Sequence, residues 1–142
     1  MLALDYGSAR CGCAVSDLTG VLATPIEPVA RPGSRRGLER LRALVDELGI
    51  ERVVVGLPVS LSGGDSTQTI ETREFASALD VRLPVPVELY DERFTTRIAS
   101  RAGGRASEDS RAAAVLLESW LAARAAPALS EGSTVSDRGA RA

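Results

Sequence analysis

The sequence predicts an α/β domain: a mixed five-stranded sheet with helices on both faces. Three observations lead there. Up to Val29 the chain holds three short apolar runs separated by turn residues. From Ser34 the apolar residues recur at steps of three and four, the period of a helix. Beyond Gly49, short apolar runs alternate with amphipathic ones, as in parallel strands joined by right-handed helical crossovers.

Leu2–Asp5 and Cys11–Ser16 read as the first two strands, with Thr19-Gly20 turning into a third, Val21–Val29. Pro25 and Pro28 put that third strand at a sheet edge, because proline cannot donate to a ladder. Leu38, Leu41, Val45 and Leu48 line the first helix, opened by Ser34 and closed by Gly49. Arg52–Val55 is a fourth, fully apolar strand running into Gly56-Leu57-Pro58, and Ser60–Gly64 is a loop. Asp65 or Ser66 caps a second helix that carries Ile70, Phe75, Ala76 and Leu79 inward. Val85, Val87 and Leu89 alternate as a fifth strand, which Pro84 and Pro86 place at an edge. Two helices follow, one starting near Arg93 and one from Asp109 to Ala123. The latter buries Ala112, Ala113, Leu116, Leu117 and Trp120. The expected order is β-β-β-α-β-α-β-α-α. Residues 1–124 are expected to form one domain, and 125–142, rich in Ser, Gly and Arg, a disordered tail.

Composition excludes several chemistries. The chain of 142 residues has 17 basic residues, all of them Arg, and no His. Serine or cysteine nucleophiles paired with His, His-ligated zinc, Walker-type phosphate loops and Schiff bases are therefore out. Carboxylates remain as the acid–base and metal-binding candidates. A net charge of −2 gives no bulk pull toward nucleic acid, so any such attraction must be local. Cys11 and Cys13 alone make neither a disulfide framework nor a structural zinc site, which suits a reduced, cytoplasmic protein. No apolar run is long enough to span a bilayer, and no membrane partner is expected.

Three segments concentrate acids at element ends. In Leu4-Asp5-Tyr6-Gly7-Ser8-Ala9-Arg10-Cys11-Gly12 an acid closes a buried strand; it either caps the turn that follows or binds a hard cation. In Tyr90-Asp91-Glu92-Arg93-Phe94-Thr95-Thr96 two acids precede a helix, which their charge also suits electrostatically. In Glu108-Asp109-Ser110-Arg111-Ala112-Ala113 an acid opens the last helix, where N-capping is its common role. With the first strand central, Asp5, Asp91 or Glu92, and Asp109 can meet at one end of the sheet. Convergent carboxylates of this kind hold divalent metals, about 3.5–4 Å apart, for in-line phosphodiester cleavage.

In these residues the chain resembles the YqgF/RuvX family of RNase H-like proteins, described as pre-16S rRNA nucleases and as Holliday-junction-resolvase-like. The likeness runs from about Leu2 to Leu121. It rests on the first hairpin from Leu4 to Asp17, on Val55-Gly56-Leu57-Pro58 with Gly63-Gly64 and Gln68, on Asp91-Glu92-Arg93-Phe94-Thr95-Thr96, and on Asp109-Ser110-Arg111-Ala112-Ala113 with Leu116-Leu117. It implies an RNase H-like fold and a nuclease using Mg²⁺ or Mn²⁺ on the 5′ end of pre-16S rRNA. Asp5, Asp91, Glu92 and Asp109 become the catalytic candidates, with Asp5, Glu92 and Asp109 as metal ligands. Resolvase relatives carry a Glu on the strand that here ends in Gly56, so the Asp91-Glu92 pair supplies that ligand, through one or the other. Arg10, Arg93, Thr95 and Thr96 would contact phosphates, though Arg93 can equally pair with its neighbouring acids. Ala9, Phe94 and Glu108 depart from the family pattern. The segment from Thr96 to Asp109 is short and offers Arg97, Arg101 and Arg105, with Arg111 beyond, in place of lysines.

The expected partner is structured RNA, or branched DNA if the chain resolves junctions as a dimer; monomer and homodimer are both compatible with the sequence. A non-catalytic RNA-binding assembly factor is the rival of another class. An actin-like ATPase, which also opens on an acid and a Gly hairpin, needs two lobes and more chain than this. Trp120 and Tyr6 read as packing residues.

Overall fold

The computed structural model describes residues 1–59, 66–94 and 107–125. Its sheet holds β1 (Leu2–Asp5), β2 (Arg10–Ser16), β3 (Ala23–Ala30), β4 (Val53–Leu57) and β5 (Val87–Asp91) in the order β3-β2-β1-β4-β5. β1 is central, and β3 and β5 are the edges, where the prolines required them. β1 pairs antiparallel with β2, and β2 with β3, while β1–β4 and β4–β5 are parallel. The helices are α1 (Arg35–Glu47), α2 (Thr67–Arg82) and α3 (Glu108–Ala125).

Strand alternation divides the sheet between two cores. Leu2, Leu4, Cys11, Cys13, Val53 and Val55 face α1 and α2, meeting Leu38, Leu41, Val45, Phe75 and Leu79. Ala3, Ala14 and Val54 face α3, meeting Ala113, Ala114, Leu117 and Trp120. The α3 face of the sheet is small at its centre. Gly12 lies so close to α3 that a Cβ there would sit 1.9 Å from the Asp109 carbonyl oxygen. Ser110, fully buried, closes the contact: Cys13 N–H donates to its hydroxyl at 3.2 Å, and the hydroxyl donates to the Ile26 carbonyl at 2.5 Å. A register shift between Cys11 and Cys13 opens the β2–β3 ladder there, and the serine fills it.

Several local expectations shift. β3 starts at Ala23 because the Asp17 carboxylate accepts the N–H groups of Val21 and Leu22 and keeps them in the turn. Ser66, not Asp65, caps α2. Ile70 is 48% exposed; Thr69 and Thr72 take the inward positions, and Thr69 donates its hydroxyl to the Pro58 carbonyl. On α3, Ala112 is exposed and Ala114 is buried instead. Ser107 caps α3, its hydroxyl accepting Ser110 N–H at 3.1 Å, so Asp109 is not the cap. Near Arg93 the chain makes a single 3₁₀ turn, Glu92–Phe94. The rest of that expected helix, the loop 60–65 and the tail 126–142 lie outside the described residues. Trp120 is core, 4% exposed, with its Nε1–H on Glu88 at 2.9 Å.

Ser110→Ala should leave the buried Cys13 N–H without its partner and lower stability by about 2 kcal/mol. Urea titration should show a lower midpoint at an unchanged slope.

Candidate active site

The C-terminal ends of β1, β4 and β5 point to one pole of the sheet, where β2 begins and α3 starts. Asp5 closes β1 directly opposite Gly12. Because Gly12 touches the Asp109 backbone, the start of α3 stands beside the end of the central strand. Asp109 thereby reaches Asp5 electrostatically.

Glu92 arrives from the other side. The 3₁₀ turn after β5 throws its side chain across β4 at Gly56, where a Cβ would meet the Glu92 Oε2 at 2.8 Å. The missing side chain at Gly56 is the room the glutamate uses. Its carboxylate hydrogen-bonds with that of Asp5.

Burial, the Glu92 and Asp109 charges and the Glu92 hydrogen bond together push the Asp5 pKa up to about 7. Glu92 is raised as well, by burial. Asp5 therefore holds the shared proton and donates it to Glu92.

Asp91 faces elsewhere. Its carboxylate accepts the Arg93 backbone N–H at 2.9 Å and the guanidinium Nη2 at 2.7 Å, which holds its pKa below the usual range. Of the two adjacent acids, Glu92 joins Asp5 and Asp91 ties down Arg93. Arg10 pairs with Asp109 at 3.2 Å, with side chains 63% and 44% exposed. Thr95 and Thr96 lie outside the described residues. Among the described residues no group of three or more His, Cys, Asp or Glu is placed to hold a metal ion, and Asp109 pairs with Arg10.

Gly12, Gly56 and Ser110 shape the site without having been singled out for it. A glycine inside an apolar strand was the available signal, as it marks close approach of other groups. For Ser110, nothing in the local sequence separates it from an ordinary first-turn serine.

The family profile described as "RuvX: Holliday junction resolvase" matches residues 1–123. The chain belongs to the RuvX family. Similar proteins include a "putative pre-16S rRNA nuclease" of Mycolicibacterium paratuberculosis, 47% identical over 88% of this chain and 81% of that protein. Another of the same description, from Leifsonia xyli, is 38% identical over 96% and 94%. Among solved structures, Thermus thermophilus RuvC in complex with a Holliday junction substrate superposes with a TM-score of 0.59. It is 14% identical and is matched over 87% of this chain and 95% of that one. At that identity RuvC establishes the fold, which is the RNase H-like one expected. No helix among the described residues is long and apolar enough to cross a membrane.

Asp5 gives the protein a pH-dependent stability of definite sign. Its native pKa lies above the unfolded value of 3.8, so the native state binds the extra proton between the two values. Stability is then fully present below about pH 4 and falls as pH rises through about 7. In metal-free buffer Asp5→Asn should be more stable than wild type at pH 8 by about 2–4 kcal/mol and equal to it near pH 4. Chemical denaturation at pH 4, 6 and 8 checks this.

Proposed function

We propose that this RuvX-family protein is a metal-dependent nuclease that cuts phosphodiester bonds at the 5′ end of precursor 16S rRNA, with Asp5, Glu92 and Asp109 as ligands of Mg²⁺ or Mn²⁺. The observation that carries the reading is the Asp5–Glu92 carboxylate pair at the end of β1 with the Asp109 charge beside it, where burial first and these two acids second hold a proton on Asp5 up to about pH 7. Mutually repelling carboxylates at a half-buried strand end are a poor arrangement for folding and a good one for a hard divalent cation. The names of the relatives support the substrate.

A bound divalent ion would supply Lewis-acid activation of water and stabilisation of the leaving oxygen. The chain's own residues do the rest. Asp5, its proton released to solvent, would be a ligand of that ion. Glu92 is held in reach by the room at Gly56. Asp109, now paired with Arg10, would be the third ligand, and the Arg10 guanidinium beside it would hold a phosphate next to the reacting one. Asp91 acts through Arg93, fixing the turn from which Glu92 projects. Thr95 and Thr96, next along the chain, would hold the phosphate by their hydroxyls. A reduced, cytoplasmic setting fits such a substrate.

Junction resolution is the second reading, favoured by the family's description. The test uses a labelled precursor rRNA 5′ segment and a four-way DNA junction, each with Mn²⁺, Mg²⁺ or EDTA. Metal-dependent cutting of the RNA is expected, with cutting of the junction alone pointing to the second reading. Asp5→Asn and Glu92→Gln should each lower kcat by about 100-fold or more, while Asp91→Asn should cost about tenfold. Metal-independent binding without cutting, unaltered in Asp5→Asn, would instead make the chain an assembly factor.

Gly56→Ala should displace the Glu92 carboxylate and lower kcat by about 10- to 100-fold. Thermal melting separates this loss from unfolding.

A further inference from the structure

Resting on the nuclease reading, we propose that the corner between β3 and α1, with Arg31 and Arg36 at its centre, is a second contact surface for nucleic acid. It would hold the phosphodiester backbone of the strand as it leaves the carboxylate site past Arg10.

Arg31 is the non-glycine residue with a positive φ among those described, at 43°. L side chains avoid that region, and glycine accepts it freely. The corner is built to hold it there. Arg31 N–H donates to the Ala9 carbonyl at 2.9 Å. Its own carbonyl accepts Ser34 N–H at 3.0 Å and the Ser34 hydroxyl at 2.7 Å. Gly37 leaves that carbonyl room, since a Cβ would come within 2.2 Å of it. Pro32 is fully buried beneath. A backbone position suited to glycine thus carries an exposed arginine.

Charge gathers at the same place. Arg31, Arg35 and Arg36 fall within six residues, Arg-Pro-Gly-Ser-Arg-Arg, that include no acid. The first turn of α1 has no acid either, so the positive end of the helix adds to the arginines. Among the described residues Arg31 and Arg36 have no ion-pair partner, and Arg35 has only the exposed Glu39 at 3.7 Å.

The corner adjoins the site. Arg10 lies opposite Ala30 in the β2–β3 ladder, and its side chain reaches Asp109. From β1 to β3 is two strand spacings, about 10 Å. At about 3.4 Å of axis per charge, that spans roughly three phosphates of a strand. The other flank is less suited. Arg93 is engaged by Asp91, and Glu71 and Glu74 on α2 face Tyr6. Among the described residues, the charge distribution therefore favours a path for the strand out over β3 and α1.

The test measures binding of a single-stranded RNA oligomer in EDTA, by fluorescence anisotropy across 50–200 mM KCl, for the whole protein. The variants are Arg31→Gly, Arg36→Ala, the double variant, and Arg82→Ala at the opposite pole as a control for net charge. Arg31→Gly should melt at or above the wild-type temperature, because glycine relieves the strained backbone. It should nevertheless bind RNA about 3- to 10-fold more weakly. The slope of log K against log salt should become shallower by about 0.7 for each arginine removed, and Arg82→Ala should leave it unchanged. A folded double variant with wild-type affinity and slope overturns the inference, as does a wild type that binds no RNA. If that double variant binds as wild type while the wild type still cuts with metal, the corner fails and the nuclease reading stands. If the arginines carry binding but no metal supports cutting, the nuclease reading fails and the corner stands.

Discussion

The first turn of α3 lies directly on the backbone of β2 at Gly12, with the Ser110 hydroxyl set into the opened β2–β3 ladder. Much depends on this one contact. It brings the Asp109 backbone to the residue paired with Asp5, so two acids more than a hundred positions apart share one electrostatic environment. It also sets the depth at which Ala113, Ala114 and Leu117 meet Ala3, Ala14 and Val54. A side chain at Gly12 would separate both the core and the acid pair.

Around that contact the pole of the sheet balances charge in two ways. Asp5 and Glu92 share a proton, because burial makes two adjacent negative charges costly. Asp91 and Asp109 are each met by an arginine near in sequence or one strand away. This leaves two carboxylates, Asp5 and Asp109, whose present partners are a proton and a surface guanidinium. Both are exchangeable, since exposed ion pairs are weak and the proton is held only up to about pH 7.

The elements were legible where the apolar period was unbroken. β1, β4 and α1 stand close to their expected places because Leu and Val fill most of their inward positions. The reading slipped where polar or small residues did the burying. Thr69 and Thr72 point inward on α2 with their hydroxyls on the Pro58 and Gln68 carbonyls, and the apolar Ile70 is left exposed. On α3, adjacent alanines carry no amphipathic signal, so Ala112 and Ala114 exchanged places. Asp109 stands where a cap is common, but Ser107 takes that role and the Asp109 carboxylate pairs with Arg10.

By itself the sequence determined the order of the five strands and of α1, α2 and α3, the two edge strands and the restriction of chemistry to carboxylates. Those follow from local periodicity, from proline's missing N–H and from the absence of His and Lys. It also named the three segments that carry the acids. Only the tertiary structure put Glu92, and not Asp91, beside Asp5, because that placement turns on the space above Gly56, a residue on a neighbouring strand. Likewise it alone put Arg93 on Asp91, Arg10 on Asp109 and Arg31 in a glycine-like conformation. Each of these is set by which backbone lies alongside, a property of the packed sheet that no single segment contains.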